Sequence, residues 1–363
     1  MQMPEIYAAA EITIAASCGR STSEGFLETK APLEKLFRFS LEEYGNLFVL
    51  VKESIFDDVE PLDTRAWALQ EIILSIGVLN FTTSSLRFEC GTSVVELDPE
   101  KPPGGKPIPL LRQLGCALLN RSQNHFEGGD IWLRLVGEYS RRRLTFVDDR
   151  LLAISGLADR FGRVIRGTYL AGLWEFELPY GLLWISLVPH IRPTTERAPS
   201  WTWASIDGPI SYDVRSEAYG RYKPEGTMEV HSVSVVPLRM DAKYGSVRTG
   251  GLICVSSLFK RARVVGEGSE RCIVDAKSRF SLDAKLHFDS LDNDDDLMGV
   301  DIFALNYYKT ESLLIRQAAS QLYTVGLLLV HVSDRSYRRV GLYNAGGQTD
   351  WFSNSSFETI YII

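Results

Sequence analysis

The sequence of 363 residues has no long apolar run. Residues 181–189, among its longest apolar stretches, fall well short of the ~20 residues a membrane helix needs. No charged start followed by an apolar core opens the chain, so no secretory signal is read. Basic charge is in deficit as well: Lys and Arg total 39 against 46 Asp and Glu, a formal net charge of −7. That balance excludes a general nucleic-acid binder, which needs a basic surface to displace counterions. The five cysteines (Cys18, Cys90, Cys116, Cys254 and Cys272) form no C-x-x-C pair. Their dispersal argues for reduced core thiols in a cytoplasmic protein.

Common chemical motifs are missing too. Gly266-Glu267-Gly268 lacks the third glycine and the following helix of a dinucleotide fingerprint. The acidic run from Asp292 to Asp296 has Leu297 and Phe303 where a calcium loop needs Gly and Glu, so it reads as a solvated turn. The five histidines are isolated from one another and from cysteine, and His231 and His331 read as structural strand residues. No metal cluster or nucleophile motif is legible.

What is present is an ordinary globular composition, 45% hydrophobic and 23% charged. The length favours two domains or one large composite one. Residues 3–10 read as a helix. Residues 11–16 read as a short strand, buried on both faces and needing parallel neighbours. Residues 17–25 are a polar loop and 47–51 a second strand. Asp63 is read as the N-cap of a helix, which makes Leu62 and Trp67 a hydrophobic staple. Leu62, Ala66, Leu69 and Ile73 form one apolar stripe on it. Residues 78–81 and 86–90 read as a hairpin. Residues 131–163 are helical in pattern, with Trp132, Leu135 and Tyr139 on one face. Residues 193–199 look like a linker. Beyond residue 208, alternating segments separated by Gly, Asp and Ser predict antiparallel strands.

Glu71 is the sharpest chemical candidate. It lies one helical turn after Trp67, so ring and carboxylate share a face. An aromatic wall beside a carboxylate can desolvate it or hold a flat base against it. The structural alternative is a core Trp beside a solvated or Arg-paired Glu. Arg141-Arg142-Arg143 is either an anion site or the solvated end of a helix. Asp148 and Asp149 pair with nearby arginines or cap a helix. Trp201 and Trp203 read as core packing.

Several ordered blocks resemble the fungal heterokaryon-incompatibility (HET) domain family. Ile6-Tyr7 followed by Ile12-Thr13-Ile14-Ala15-Ala16 looks like its I-Y-x-x-A-x-x-T-I-A-A segment. Ser21 to Leu27 resembles its S-x-x-S-E-G-F-L loop. Arg65, Trp67, Leu69, Gln70 and Glu71 match its R-x-W-x-L-Q-E signature. Val78-Leu79-Asn80-Phe81, Phe88-Glu89-Cys90, Asp149-Arg150-Leu151-Leu152-Ala153-Ile154-Ser155-Gly156-Leu157-Ala158, Tyr169-Leu170-Ala171-Gly172-Leu173-Trp174, Gly181-Leu182-Leu183-Trp184 and Ser200-Trp201-Thr202-Trp203-Ala204-Ser205 extend the likeness. The family's earlier S-Y-x-W-G and W-I-D-x-L-C-I-x-Q strands are missing, so the resemblance implies a chain lacking the first half of that domain.

The resemblance implies an α+β protein: a truncated TIR-like α/β part, a helical middle and an antiparallel β-sandwich or barrel-like end. Residues 1–125 would hold the closing portion of the HET domain and its hairpin, 126–205 the helical segment, and 206–363 the β-rich domain. It further implies a cytoplasmic module of fungal allorecognition that promotes growth arrest or programmed cell death. Its partners would be other incompatibility or signalling proteins, or a second copy of itself, with no nucleic acid and no membrane. Some TIR domains cleave NAD with a Glu in a W-C-x-x-E pattern. Trp67 and Glu71 share that offset, with Ala68 in place of Cys. By that analogy NAD is a candidate substrate, Glu71 the catalytic residue, and Trp67 and Arg65 ligand-binding.

Overall fold

The computed structural model describes residues 3–27, 34–41, 45–52, 59–96, 105–106, 109–119, 125–165, 167–212, 228–266, 271–277, 281–282, 284–290, 301–312, 321–346, 351–352 and 354–363. It is a mixed α+β structure with few helices and several sheets. Two compact units make it up, Met1–Cys116 and Ala117–Ile363.

The first unit opens with α1 (Met3–Ala9) and β1 (Thr13–Ala15). A hairpin follows, β2 (Glu34–Leu41) with β3 (Gly45–Lys52), of which the sequence pattern revealed only the second strand. Next come α2 (Ala66–Leu74), β4 (Gly77–Phe81), β5 (Leu86–Cys90), β6 (Val94–Glu96), β7 (Gly105–Lys106) and α3 (Leu110–Leu119). One five-stranded sheet has the order β1-β4-β5-β6-β7. β1 runs parallel to β4, with Ile14 opposite Leu79, so the chain between them must cross over, and α2 lies on that crossover. The β4–β5 hairpin is as expected, its turn held by the Thr82 amide and hydroxyl, both donating to the Ser85 carbonyl.

β1 is not buried on both faces. Ala15 is buried, but Ile12 and Ile14 are exposed. β4 is its one partner in the sheet, so its other edge carries no strand among the described residues.

The second unit begins with α4 (His125–Ser140) and α5 (Ser155–Val164). The continuous helical pattern over 131–163 is interrupted between them. Ser140 turns its hydroxyl back onto the Gly137 carbonyl and also accepts the Ile210 amide. Two 3-10 turns, Val147–Arg150 and Leu152–Ile154, then carry the chain into α5. Small strand pairs follow: β8 (Tyr169–Leu170) with β9 (Leu173–Trp174), and β10 (Ile185–Ser186) with β11 (Ile210–Ser211).

The β8–β9 turn explains the block from Tyr169 to Trp174. Its Gly172, at φ +102°, adopts a conformation that favours glycine. The Gly172 carbonyl accepts two indole N–H groups, from Trp132 at 2.9 Å and from Trp203 at 3.0 Å. A Cβ there would sit 2.6 Å from the Trp203 nitrogen. Trp132, Phe161, Tyr169 and Trp174 pack around this turn in stacked and edge-on contacts. The segment 193–199 is pinned to the fold: Arg197 donates to the carbonyls of Ala204 and Ile206 and to Asp207.

The rest of the unit is a nine-stranded sheet: β12 (Glu229–Ser234), β13 (Leu252–Val265), β14 (Cys272–Asp275), β15 (Ser281–Leu282), β16 (Lys285–Phe288), β17 (Asp301–Ser312), β18 (Gln321–Ser333), β19 (Ser336–Gly346) and β20 (Ser356–Ile362). Its pairings are antiparallel except β19 with β20. β13 is the longest strand and pairs with β12, β14, β17 and β20. Its first half is covered on both faces, whereas its second half alternates exposed Arg261 and Arg263 with buried Ala262 and Val264. The acidic run 292–296 and residues 267–268 lie outside the described residues.

One ion pair joins the sheet to the segments before it. Arg339 on β19 and Asp289 just after β16 are both fully buried, with Nε–Oδ2 at 3.1 Å. Arg339 also donates to the carbonyls of Leu182, at 2.5 Å, and Trp184, at 2.6 Å. Removing Arg339 leaves the buried Asp289 charge to Arg192 alone, 4.0 Å away. Arg339→Met should therefore lower unfolding stability by about 3–5 kcal/mol. Arg339→Met combined with Asp289→Leu should recover part of that loss. Urea denaturation of the single and double variants tests this, and an equal loss in both would refute the stranded-charge explanation.

His287 on β16 adds a pH dependence. Burial, with Lys285 nearby, pushes its imidazole down to about 4 from an ordinary 6.5. The unfolded chain therefore takes up a proton that the folded chain refuses. The stabilisation is whole above pH 6.5 and is lost as pH falls towards 4. His287→Gln should show a smaller drop in urea midpoint between about pH 7 and 5 than the parent chain, in that same window.

Candidate functional site

The sequence of α2, Ala-Trp-Ala-Leu-Gln-Glu, is rich in strong helix formers. The helix starts later than the Asp63 cap would place it. Pro61 instead opens a 3-10 turn, Pro61–Thr64, in which the Thr64 hydroxyl donates back to the Pro61 carbonyl at 2.8 Å. The chain then extends at Arg65 (φ −93°, ψ 126°), which is the residue before the first helical turn. Trp67 therefore stands at the second helical position, and the staple with Leu62 is not formed in the expected register. The apolar stripe holds over Ala66, Leu69 and Ile73, all buried, but Leu62 lies outside the helix in the 3-10 turn and is half-buried.

The three predicted site residues sit together on this element but in different surroundings. Arg65 is exposed, and Trp67 and Glu71 are half-buried. Glu71 is neither simply solvated nor arginine-paired in the described structure. The Tyr7 phenol from α1 lies beside it, close enough to feel its charge. Burial pushes the Tyr7 phenol upward first, and the charge of the neighbouring Glu71 carboxylate adds to the rise. The fold thus brings Tyr7 and Glu71, 64 positions apart by their numbers, into one contact.

The end of α2 is fastened by two groups. The Ser75 hydroxyl donates to the Glu71 carbonyl at 2.7 Å and bonds the Thr13 hydroxyl on β1 at 2.7 Å. Arg112 of α3, itself buried, reaches the carbonyls of Ile72 at 2.7 Å, Ser75 at 2.9 Å and Glu89 at 2.9 Å, with Ile76 at 3.4 Å. It satisfies the free carbonyls of the last helical turn with a cation placed at the negative end of the helix dipole. The one sequence signal for Arg112 is a lone cation within the apolar run Leu110-Leu111-Arg112-Gln113-Leu114.

Other candidate residues disperse. His231 bonds the Ser256 hydroxyl across β12 and β13, and His331 Nε2 donates to the Asp334 carbonyl at 2.9 Å. Trp201 and Trp203 are fully buried. All five thiols are free, and of these only Cys254 is buried, so most are not core thiols. Asp148 and Asp149 lie in the 3-10 turn Val147–Arg150. Arg141, Arg142 and Arg143 line a cleft in the second unit. No group of His, Cys, Asp and Glu suited to a metal occurs among the described residues, and no described helix is long and apolar enough to cross a membrane.

No protein-family model, no curated protein and no solved structure matches this chain.

Removing the phenol should test the α1–α2 contact without opening a large void. Tyr7→Phe is expected to cost no more than about 1.5 kcal/mol, the upper end of what one hydrogen bond is worth. In the Glu71→Gln variant the Tyr7 phenol should titrate lower than in the parent, because the carboxylate's charge is gone. Ultraviolet difference titration of the two chains measures it, and an unchanged Tyr7 curve would mean that the contact is not formed.

Proposed function

We propose that this chain is a HET-domain protein that acts as a non-enzymatic signalling or interaction module, promoting growth arrest or programmed cell death in fungal incompatibility. The observation that carries the reading is the meeting of its two most distinctive blocks. Tyr7, from the I-Y segment, lies beside Glu71, from the R-x-W-x-L-Q-E segment, where α1 packs on α2. The strands next to those blocks also pair, Thr13–Ala15 against Val78, Leu79 and Asn80. Residues that look like one family's signature in sequence are therefore also one cluster in space. In this reading the crossover through α2 belongs to a TIR-like α/β unit, the nine-stranded sheet is a sandwich-like accessory, and the partners are other signalling proteins of the same response in the cytoplasm.

Arg65, Trp67 and Glu71 then serve the surface and stability of the module. Glu71 lies beside Tyr7, and Trp67 and Arg65 form part of the surface of the helix start. NAD cleavage by Glu71 is the enzymatic alternative, and fold-level analogy alone is weak support for it.

Expression of the chain in a fungal host, with protein levels confirmed, should arrest growth. Glu71→Gln should arrest it equally and leave cellular NAD unchanged. Healthy growth of the host would overturn the signalling reading. Arrest accompanied by NAD loss, both abolished in Glu71→Gln, would replace it with the enzymatic one.

A further inference from the structure

We propose that the cleft beside the end of α4 binds a small phosphate-bearing molecule with an apolar portion. The site lies wholly within the second unit and does not rest on the HET-domain reading. Its cavity measures ≈ 790 Å³, within the range of small-molecule sites. Four arginines line it, Arg141, Arg142, Arg143 and Arg150, together with His190. The lining carboxylate, Asp207, is held by Arg197 at 2.6 Å. Glu138 reaches Arg141 only at 4.0 Å, with both side chains substantially exposed, so it offsets little of that charge. Asp148 and Asp149, next to Val147 in sequence, do not line the cleft.

Arg150 makes this more than a basic surface. It is buried, and its guanidinium lies 5.2 Å from the Trp203 ring centre. One of its terminal nitrogens donates to the Gly208 carbonyl at 2.8 Å, while its Nε has no partner. The carboxylate that acts on it, Asp207, is shared with Arg197, so two guanidiniums compete for one counter-charge. A buried cation with donors unspent is costly unless an anion completes it. The Nε is sealed from the cleft, so an anion there would meet Arg150 through its charge and bond the exposed Arg141 and Arg143.

The wall that holds Arg150 is shaped by glycine. Gly208 lies at φ +83°, and a Cβ there would meet the His190 ring at 2.4 Å. Its absence lets the imidazole close on the backbone that holds Arg150. Leu144, Val147 and Ile191 add apolar lining, to which an organic body could pack.

Guanidinium forks match phosphate oxygens in pairs, and several forks around one cavity favour a multiply charged group over a single carboxylate. A long nucleic acid is disfavoured by the chain's net charge of −7.

Isothermal titration calorimetry of the full chain with inorganic pyrophosphate and with ADP tests the assignment. Both should bind saturably, less tightly as salt rises, and ADP more tightly than pyrophosphate because of the apolar wall. Arg141→Glu combined with Arg143→Glu changes two exposed residues, so the fold should persist by circular dichroism. Affinity for both probes should fall about tenfold or more in that variant. Glu71→Gln should bind both probes as the parent does, which separates this site from any nucleotide pocket at α2. Absence of saturable binding, or equal binding in the double arginine variant, overturns the proposal. Equal affinity for ADP and pyrophosphate overturns its apolar portion.

Discussion

A single buried guanidinium sets the architecture of the second unit. Arg339 projects from β19 and is answered by Asp289, by the Leu182 and Trp184 carbonyls, and by the face of the Trp184 ring 3.5 Å away. Its backbone amide donates to the Ser200 hydroxyl, which itself donates to the carbonyl of the chain's last residue. Segments far apart in sequence thus converge on one residue. Burial drives the Asp289 carboxyl up and the Arg339 guanidinium down, so each needs the other to hold its charge in the core. Apolar clusters in the same unit, such as that of Val264, Ile273, Leu328 and Trp351, tolerate small slides. The directional donors of Arg339 do not. They fix where residues 182–184 lie on the sheet.

Three buried arginines among the described residues use the same device with different outcomes. Arg112 spends its donors on backbone carbonyls at the end of α2. Arg339 spends its donors on two carbonyls and a carboxylate. Arg150 gives a single carbonyl its hydrogen bond and faces a cleft. The first two are consumed by the fold. The third retains binding capacity, and it is the one among arginines that the sequence already grouped. Local sequence cannot distinguish these cases, because the difference lies in what distant segments bring to each side chain.

Legibility in the sequence followed the range of the forces involved. The stripe of Ala66, Leu69 and Ile73, the β4–β5 hairpin and the buried face of Trp132, Leu135 and Tyr139 are set by near neighbours, and the pattern foretold them. The α+β class and the antiparallel strands beyond residue 208 also follow from alternation and turn residues. The start of α2 was misplaced because Pro61 and Thr64 build a competing 3-10 turn, a contest too local and too balanced for periodicity to decide. The break after Ser140 was hidden because residues 131–163 keep helical spacing on both sides of it, while the interruption depends on the Ser140 hydroxyl meeting Ile210, 70 positions away. Glu71 could be singled out by its offset from Trp67, but its partner, Tyr7, comes through the packing of α1 on α2, which spacing does not encode.

The acidic balance of the chain and the basic cleft are compatible because they act at different distances. Charges scattered over the surface are screened beyond about 8 Å at physiological ionic strength. The cleft is governed by its own arginines, and the carboxylate among its described lining residues, Asp207, is already engaged by Arg197. The distant negative field still matters for long polyanions, which cannot fit within the screened region and meet repulsion along their length. A compact anion enters the cleft and leaves that field behind. Selection by size therefore comes from the contrast between an acidic whole and a basic recess, and it needs no contact beyond those the recess provides.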